Sequence, residues 1–523
     1  MRVMPTRRIA LLLLLVVLVI AVRYLHYHAL QPAHPSPGSA PRSLPASADA
    51  LHIGALQLQR CEIGRRGIGG IGTARAYCTR FDVPEDWDAP AGRHIALRVA
   101  IVRSSAVRSY PDPVVFLDGG PGGAASEDYP AIAPALAPLR QRRDILLIDQ
   151  RGTGGSNALS CSTDGAAEQP AAPVTEPPDL PARVQLVQRC LASVRAHAAP
   201  EHYTTSDAIR DLEAVRLALG APRLDLIGVS YGTRVAQQYA ARYPGAVRSV
   251  VLDSVVPNTL ALGSDHARNL ERVLRSLFAR CSAEQQCKLA FGDPYATLYR
   301  LRDRLRARPQ SLTVRDPSDY QPLQLQLSAA DLSAIVRINA YNPITAALLP
   351  LTLDQADHGN YAPLVSQKKW ISDDLGSEIT GGMELSVVCS EDADLLSARP
   401  EDAATLLGND QIANILSACS VWPRGTRPRD FHQPLAAATP VLILAGQYDP
   451  VTPPSYATAL LPTLSDARVL LAPGQGHAVI GSGCMPRLVR EFVDDLDPAA
   501  LDDRCLQQLG DIPAFIDFNG AAP

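Results

Sequence analysis

The chain has 523 residues, of which 46% are hydrophobic, 20% charged and 5% aromatic. That balance belongs to a globular protein and excludes a wholly disordered, collagen-like or coiled-coil chain. With 49 basic against 53 acidic side chains and a net charge of −4, no general positive field exists to draw the protein to nucleic acid, and none is expected as a partner.

In chain order, Arg2, Arg7 and Arg8 precede an uninterrupted apolar run from Ile9 to Val22. This pattern predicts an export signal over residues 1–25. The run ends at Arg23 with no small-x-small site close behind it. An uncleaved anchor through residues 9–25 is therefore favoured slightly over a cleaved signal. The arginines leave the rest of the chain outside the cytoplasm, in the periplasm, facing it from the membrane, or secreted. Residues 26–50 are rich in Pro, Ser and Ala and read as a tether.

Ten cysteines support the same compartment: Cys61, Cys78, Cys161, Cys190, Cys281, Cys287, Cys389, Cys419, Cys484 and Cys505. Pairing sequential neighbours gives short closed loops, although other connectivities are formally open. There is no CxxC pair and no repeated cysteine–histidine spacing, so neither a metal site nor a cofactor is expected.

The folded body should begin near Leu51. Runs at Ile95–Val102, Val114–Leu117, Ile145–Ile148, Leu224–Ile227, Val250–Leu252, Val441–Leu444 and Val469–Leu471 alternate with helical stretches. They predict a mostly parallel α/β sheet whose core lies in two parts, 51–257 and 435–523. Ser206–Leu219 carries Ile209, Leu212, Val215 and Leu219 on one face, starts at a serine able to cap a helix and stops at Gly220. Between 258 and 434 the strand rhythm gives way to helical segments such as Asn269–Cys281 and Tyr295–Ala307, an inserted helical cap over the sheet. Asn157–His202, holding Cys161 and Cys190, reads as a stapled surface excursion.

The chemistry gathers where strands end. Gly228-Val229-Ser230-Tyr231-Gly232 follows one predicted strand and opens a helix, so Ser230 is the expected nucleophile on a sharp turn. Asp449 follows strand Val441–Leu444, and His477 follows Val469–Leu471. The order Ser230, Asp449, His477 is that of the α/β hydrolases, with acid and base on loops at the strands' carboxyl ends. Asp118-Gly119-Gly120-Pro121-Gly122-Gly123 ends strand Val114–Leu117, and the backbone N–H groups of Gly120 and Tyr231 are the expected oxyanion donors.

Together with Cys78–Trp87, Asp149-Gln150-Arg151-Gly152-Thr153-Gly154-Gly155-Ser156, Tyr203–Gly220, Gly228–Thr233, Gly446–Pro453 and Gly474–His477, these stretches resemble the prolyl aminopeptidase and tripeptidyl aminopeptidase branch of the α/β-hydrolase serine peptidases. Leu117-Asp118 and Phe81–Trp87 depart from the usual pattern, the first where Asn-Pro often stands. The resemblance implies cleavage of peptides from a free amino terminus by an acyl-enzyme route, and an anion to hold the substrate ammonium. Glu391 is the first candidate for that anion, with Glu384 and Asp392 beside it, and a merely solvated Glu391 carries equal weight. Asp149 and Arg151 are expected to form an ion-paired turn bracing the oxyanion loop. A carboxylesterase using the same triad, and a non-catalytic binding module, stand as alternatives.

Overall fold

The computed structural model describes residues 50–65, 72–161, 180–316, 320–370 and 381–521. The apolar run Ile9–Val22 and the tether up to residue 49 lie outside them. Among the described residues no helix is long and apolar enough to cross a membrane.

Among the described residues twelve strands occur, in chain order: β1 (Ala50–Ile53), β2 (Leu56–Arg65), β3 (Gly72–Pro84), β4 (His94–Val102), β5 (Val114–Leu117), β6 (Ile145–Ile148), β7 (Leu224–Val229), β8 (Val247–Asp253), β9 (Gln310–Arg315), β10 (Pro322–Leu327), β11 (Val441–Gly446) and β12 (Ala467–Ala472). Ten of them form one sheet in the order β1-β2-β3-β4-β6-β5-β7-β8-β11-β12. From β6 to β12 the ladders are parallel, while β2, β3, β4 and β6 pair antiparallel.

The parallel strands are largely apolar because most of their positions are covered on both faces. Side chains alternate between faces, so Val114 and Phe116 join one hydrophobic cluster and Val115 the other. Leu226 and Ile227, Val250 and Val251, and Ile443 and Leu444 divide the same way. Helices Thr205–Leu219 and Tyr231–Arg242 cover the Val115 face with Ile209, Leu212, Val215, Val235 and Tyr239. Helices Ala125–Arg140 and Met485–Asp495 cover the other with Tyr129, Leu136, Leu488 and Phe492.

The predicted Ser206–Leu219 helix starts one residue earlier, at Thr205. Its cap is Thr204, whose side chain accepts from the Asp207 N–H, and Gly220 ends it at φ 68°. Strands β2 and β3, of 10 and 13 residues, were not among the predicted elements. Their apolar positions are isolated between polar ones because one face of this antiparallel extension meets solvent.

The stretch between β8 and β11 is largely helical, including His266–Ala283, Pro294–Ala307, Ala329–Asn339, Gly381–Glu391 and Asp410–Cys419. Leu274, Phe278, Leu301, Ile335 and Leu353 pack into a separate hydrophobic cluster within it. It is not wholly helical, because β9 and β10 form an antiparallel hairpin. The alternation Leu323-Gln324-Leu325-Gln326-Leu327 carries the period of two that marks a strand.

All ten cysteines pair with their sequential neighbours: Cys61–Cys78, Cys161–Cys190, Cys281–Cys287, Cys389–Cys419 and Cys484–Cys505. Cys61–Cys78 staples β2 to β3, and Cys389–Cys419 joins two helices 30 residues apart in sequence. Peptide mapping without reduction should return these five pairs. Replacing Cys389 and Cys419 together by Ser should destabilise the fold by about 2–4 kcal/mol in chemical denaturation. Free thiols at these positions, or an unchanged unfolding midpoint, would contradict the pairing.

Candidate active site

Ser230 stands between β7 and helix Tyr231–Arg242 with φ 54° and ψ −123°, a left-handed backbone for a non-glycine residue. The turn is held by its N–H to the Asp253 carbonyl (3.0 Å) and by its own carbonyl, which accepts from Thr233 N (2.9 Å) and Thr233 Oγ1 (2.5 Å). Both flanking glycines are required by contact. A Cβ on Gly228 would lie 2.4 Å from the Gly232 carbonyl oxygen, and one on Gly232 would lie 2.1 Å from that of Leu117. The helix therefore starts against its own strand and against the end of β5, which leaves the serine half-buried above the sheet.

Asp449 and His477 follow β11 and β12. His477 Nδ1 meets Asp449 Oδ2 at 2.8 Å, with the aspartate fully buried. Asp449 Oδ1 accepts from the N–H groups of Val451 (2.8 Å) and Thr452 (2.7 Å), and Thr452 Oγ1 donates to Oδ2 (2.8 Å). Burial works against this carboxylate, but the His477 charge and these donors hold it below the usual carboxylate range. Burial also opposes a charged His477. Asp449 outweighs that effect and carries the imidazole above its ordinary 6.5.

A second strand-end acid, Asp253, is fully buried and accepts from the N–H groups of Val479 (2.9 Å) and Ile480 (2.8 Å). It clamps the loop just beyond His477 without touching the ring. From the stretch between β8 and β11, the Tyr341 carbonyl accepts the His477 N–H at 2.8 Å, and the Tyr341 ring lies edge-on to the imidazole with centroids 5.0 Å apart.

Gly120, at φ 112°, lies within the glycine loop after β5. Among the described residues neither its N–H nor that of Tyr231 donates to a protein acceptor. Gly120, Tyr231 and Ser230 line one cavity, whose opposite wall comes from the stretch between β8 and β11 through His266, Arg337, Tyr341, Glu384 and Gln411. The Ser230 turn, the Asp449–His477 pair and the Gly120 and Tyr231 N–H groups all stand at the carboxyl ends of the parallel strands.

The alpha/beta hydrolase fold family matches residues 112–483 of the chain. The chain belongs to this family. It is similar to serine protease Hip1 of Mycobacterium tuberculosis, 24% identical over 454 residues that span 80% of this chain and 85% of that one. Tripeptidyl aminopeptidase of Streptomyces lividans is 33% identical over 191 residues, 34% of this chain and 35% of its own. Carboxylesterase B of Mycobacterium tuberculosis is 25% identical over 479 residues, 83% and 87% respectively. The likeness to aminopeptidases read from the motifs is thus matched by named relatives, and the protein is an α/β-hydrolase enzyme.

The acids of helix Gly381–Glu391 and its end occupy three different settings in this hydrolase. Glu391 does not line the cavity. Its fully buried carboxyl accepts from Thr205 N (2.6 Å) and Thr205 Oγ1 (2.9 Å), and Thr205 Oγ1 in turn meets the Tyr231 hydroxyl at 2.7 Å. It is therefore neither solvated nor open to a ligand. Asp392 is equally buried and pairs with Arg234 at 2.8 Å, four residues beyond Ser230 on the nucleophile's helix. Glu384 alone of the three lines the cavity, and among the described residues it has no hydrogen-bond or ion-pair partner. Burial raises its pKa, and Arg337 partly offsets that rise.

Asp149 and Arg151 serve as braces, though not as one pair. Asp149 accepts from Ser126 N (2.8 Å), Ser126 Oγ (3.0 Å) and Gly155 N (2.9 Å), tying its turn to the helix behind the glycine loop. Arg151 forks onto Asp211 through Nε (2.7 Å) and Nη2 (2.6 Å) and also binds the carbonyls of Glu85 and His202.

His266, Arg337 and Tyr341 escaped the sequence reading, since nothing in their helical surroundings marks them. Asp253 had a signal, a lone acid closing an apolar strand.

Burial, with Asp392 next to it, pushes Glu391 up to about 8 from an ordinary 4.5. The folded state therefore binds a proton there that the unfolded state releases. The stability this contributes is complete below pH 4.5 and declines as pH rises toward about 8. Glu391→Gln removes the titration, so its melting temperature relative to wild type should climb from about pH 5 to about pH 8. Parallel melting curves across that range would contradict the buried, proton-binding setting.

Proposed function

We propose that the protein is an exported serine aminopeptidase. Ser230 attacks the peptide carbonyl, His477 takes the proton and returns it to the leaving amine, and Asp449 orients and stabilises the imidazolium. The Gly120 and Tyr231 N–H groups receive the oxyanion, and water then repeats the attack on the acyl-enzyme. Residues 258–434 act as a cap, roofing the cavity and restricting substrates to short or unstructured peptides.

The observation that carries the aminopeptidase reading is Glu384, a carboxylate without a protein partner on the wall of the Ser230 cavity. It replaces Glu391 and Asp392 as the group that receives the substrate ammonium, because both of those are taken by protein partners. Named peptidase relatives support the substrate class, and five disulfides support an oxidising compartment. The carboxylesterase relative favours a second reading, an ester hydrolase that needs no amine-binding acid.

Free and amino-blocked chromogenic amides, assayed beside a simple ester, separate the two. Glu384→Gln should lower kcat/KM for free-amine amides by roughly 10- to 150-fold, the equivalent of about 1.5–3 kcal/mol for a charge-assisted contact, while the ester falls far less. Equal loss on all substrates, or hydrolysis of esters only, would sink the aminopeptidase reading. Ser230→Ala should reduce turnover by about 10⁶-fold with the fold retained. Activity should rise with pH through an acid limb above 6.5, because Asp449 holds the His477 proton more tightly. Asp449→Asn should move that limb down, and a wild-type limb below 6.5 would contradict the pairing.

A further inference from the structure

Several buried or half-buried guanidiniums of this protein end on carboxylates: Arg151 on Asp211, Arg234 on Asp392, Arg143 on Asp494, and Arg399 on Asp402. Arg337, in helix Ala329–Asn339, does not. Its one side-chain bond runs from Nη2 to His266 Nδ1 at 3.3 Å, and no carboxylate among the described residues comes within 4.0 Å of it. A guanidinium has five N–H donors and no acceptor, so most of this one's donors have no protein partner. They stand half-buried on the wall of the Ser230 cavity.

His266 is fitted to hold it. Arg337 can only donate, and Gln411 Nε2 reaches the same Nδ1 at 2.9 Å, so Nδ1 accepts and the proton sits on Nε2. Burial and the neighbouring Arg337 charge keep the ring neutral, with its pKa pushed down to about 3. The neutral ring anchors Arg337 without cancelling its charge, and it leaves Nε2–H as a second donor on a residue lining the cavity. Glu384 lines the same cavity, near enough for the Arg337 charge to lower its pKa yet beyond ion-pair distance. The cavity thus presents a cation and an anion, each unpaired and kept apart.

A ligand that satisfies both carries an ammonium and a carboxylate on one short chain. Resting on the reading that Glu384 receives the substrate's amino terminus, we propose that Arg337, held by His266, binds an acidic side chain in the acyl portion of the substrate. The enzyme then favours peptides with Asp or Glu close to a free amino terminus. Arg337 is a specificity residue for the same acyl transfer and adds no bond-making step.

The test uses the whole enzyme and matched pairs of free-amine chromogenic amides with acyl parts of one, two or three residues. Each pair differs only as Asp against Asn or Glu against Gln. At near-neutral pH, kcat/KM should favour the acid by roughly 10-fold or more in at least one position. Arg337→Gln should bring that ratio close to one, and Arg337→Lys should keep part of it, since charge is retained while the planar fork is lost. Because each ratio is taken within one preparation, partial misfolding cancels.

Wild-type ratios at or below one in every pair would overturn the proposal. So would a ratio unchanged in Arg337→Gln, or an Arg337→Gln effect confined to the acid limb of the pH profile, which would assign the charge to tuning His477. Amino-blocked versions of the same pairs keep the two readings apart. An acid preference that persists without any advantage of the free amine supports Arg337 and overturns Glu384. An amine preference without an acid preference does the reverse.

Discussion

Everything at the active site depends on how closely helix Tyr231–Arg242 approaches the sheet. Gly228 and Gly232 leave no room for a Cβ on either side of the turn, the second because the helix meets the end of β5 itself. Only at that separation does the chain reverse within one residue and hold Ser230 at a positive φ. The strain of the left-handed serine is of order 1–3 kcal/mol and is held by the surrounding hydrogen bonds to Asp253 and Thr233. The same contact brings the glycine loop after β5 beside the serine, so Ser230 and the Gly120 and Tyr231 N–H groups are placed by one packing event rather than two.

Around this point the protein uses buried charge as bracing. Arg234 and Asp392, both without exposed surface, fasten the nucleophile's helix to the end of helix Gly381–Glu391. Arg151 and Asp211 fasten the turn after β6 to helix Thr205–Leu219. Such pairs add little net stability compared with apolar residues of similar volume, but removing one partner strands the other charge and costs about 3–5 kcal/mol. Their effect here is to fix which helix end lies against which loop. Glu384, which has no such partner among the described residues, lines the cavity instead.

The parallel half of the sheet was legible because β5 to β8, β11 and β12 each carry a short, largely apolar run. Ser230, Asp449 and His477 stood out because each follows such a run. Where one face meets solvent the signal thins, so β2 and β3 are not among the predicted strands, and β9–β10 was lost among helical segments. Glu384 and Glu391 illustrate a different limit. Seven residues apart on one helix, they share a face but sit about 10 Å apart along its axis. Which end meets the cavity and which meets Thr205 is decided by tertiary packing that no local pattern encodes. Arg337 lies beyond reach for the same reason, since its meaning comes from the partner it lacks.

The bond from the His477 N–H to the Tyr341 carbonyl joins the proton-handling loop to a peptide nearly 140 positions earlier in the chain. A Cβ on Gly476 would strike that same carbonyl at 2.1 Å, so loop and roof meet without slack. The architecture therefore offers little freedom to vary the roof independently of the chemistry beneath it. The turn at Tyr341 inherits the constraints of the sheet even though it lies outside it.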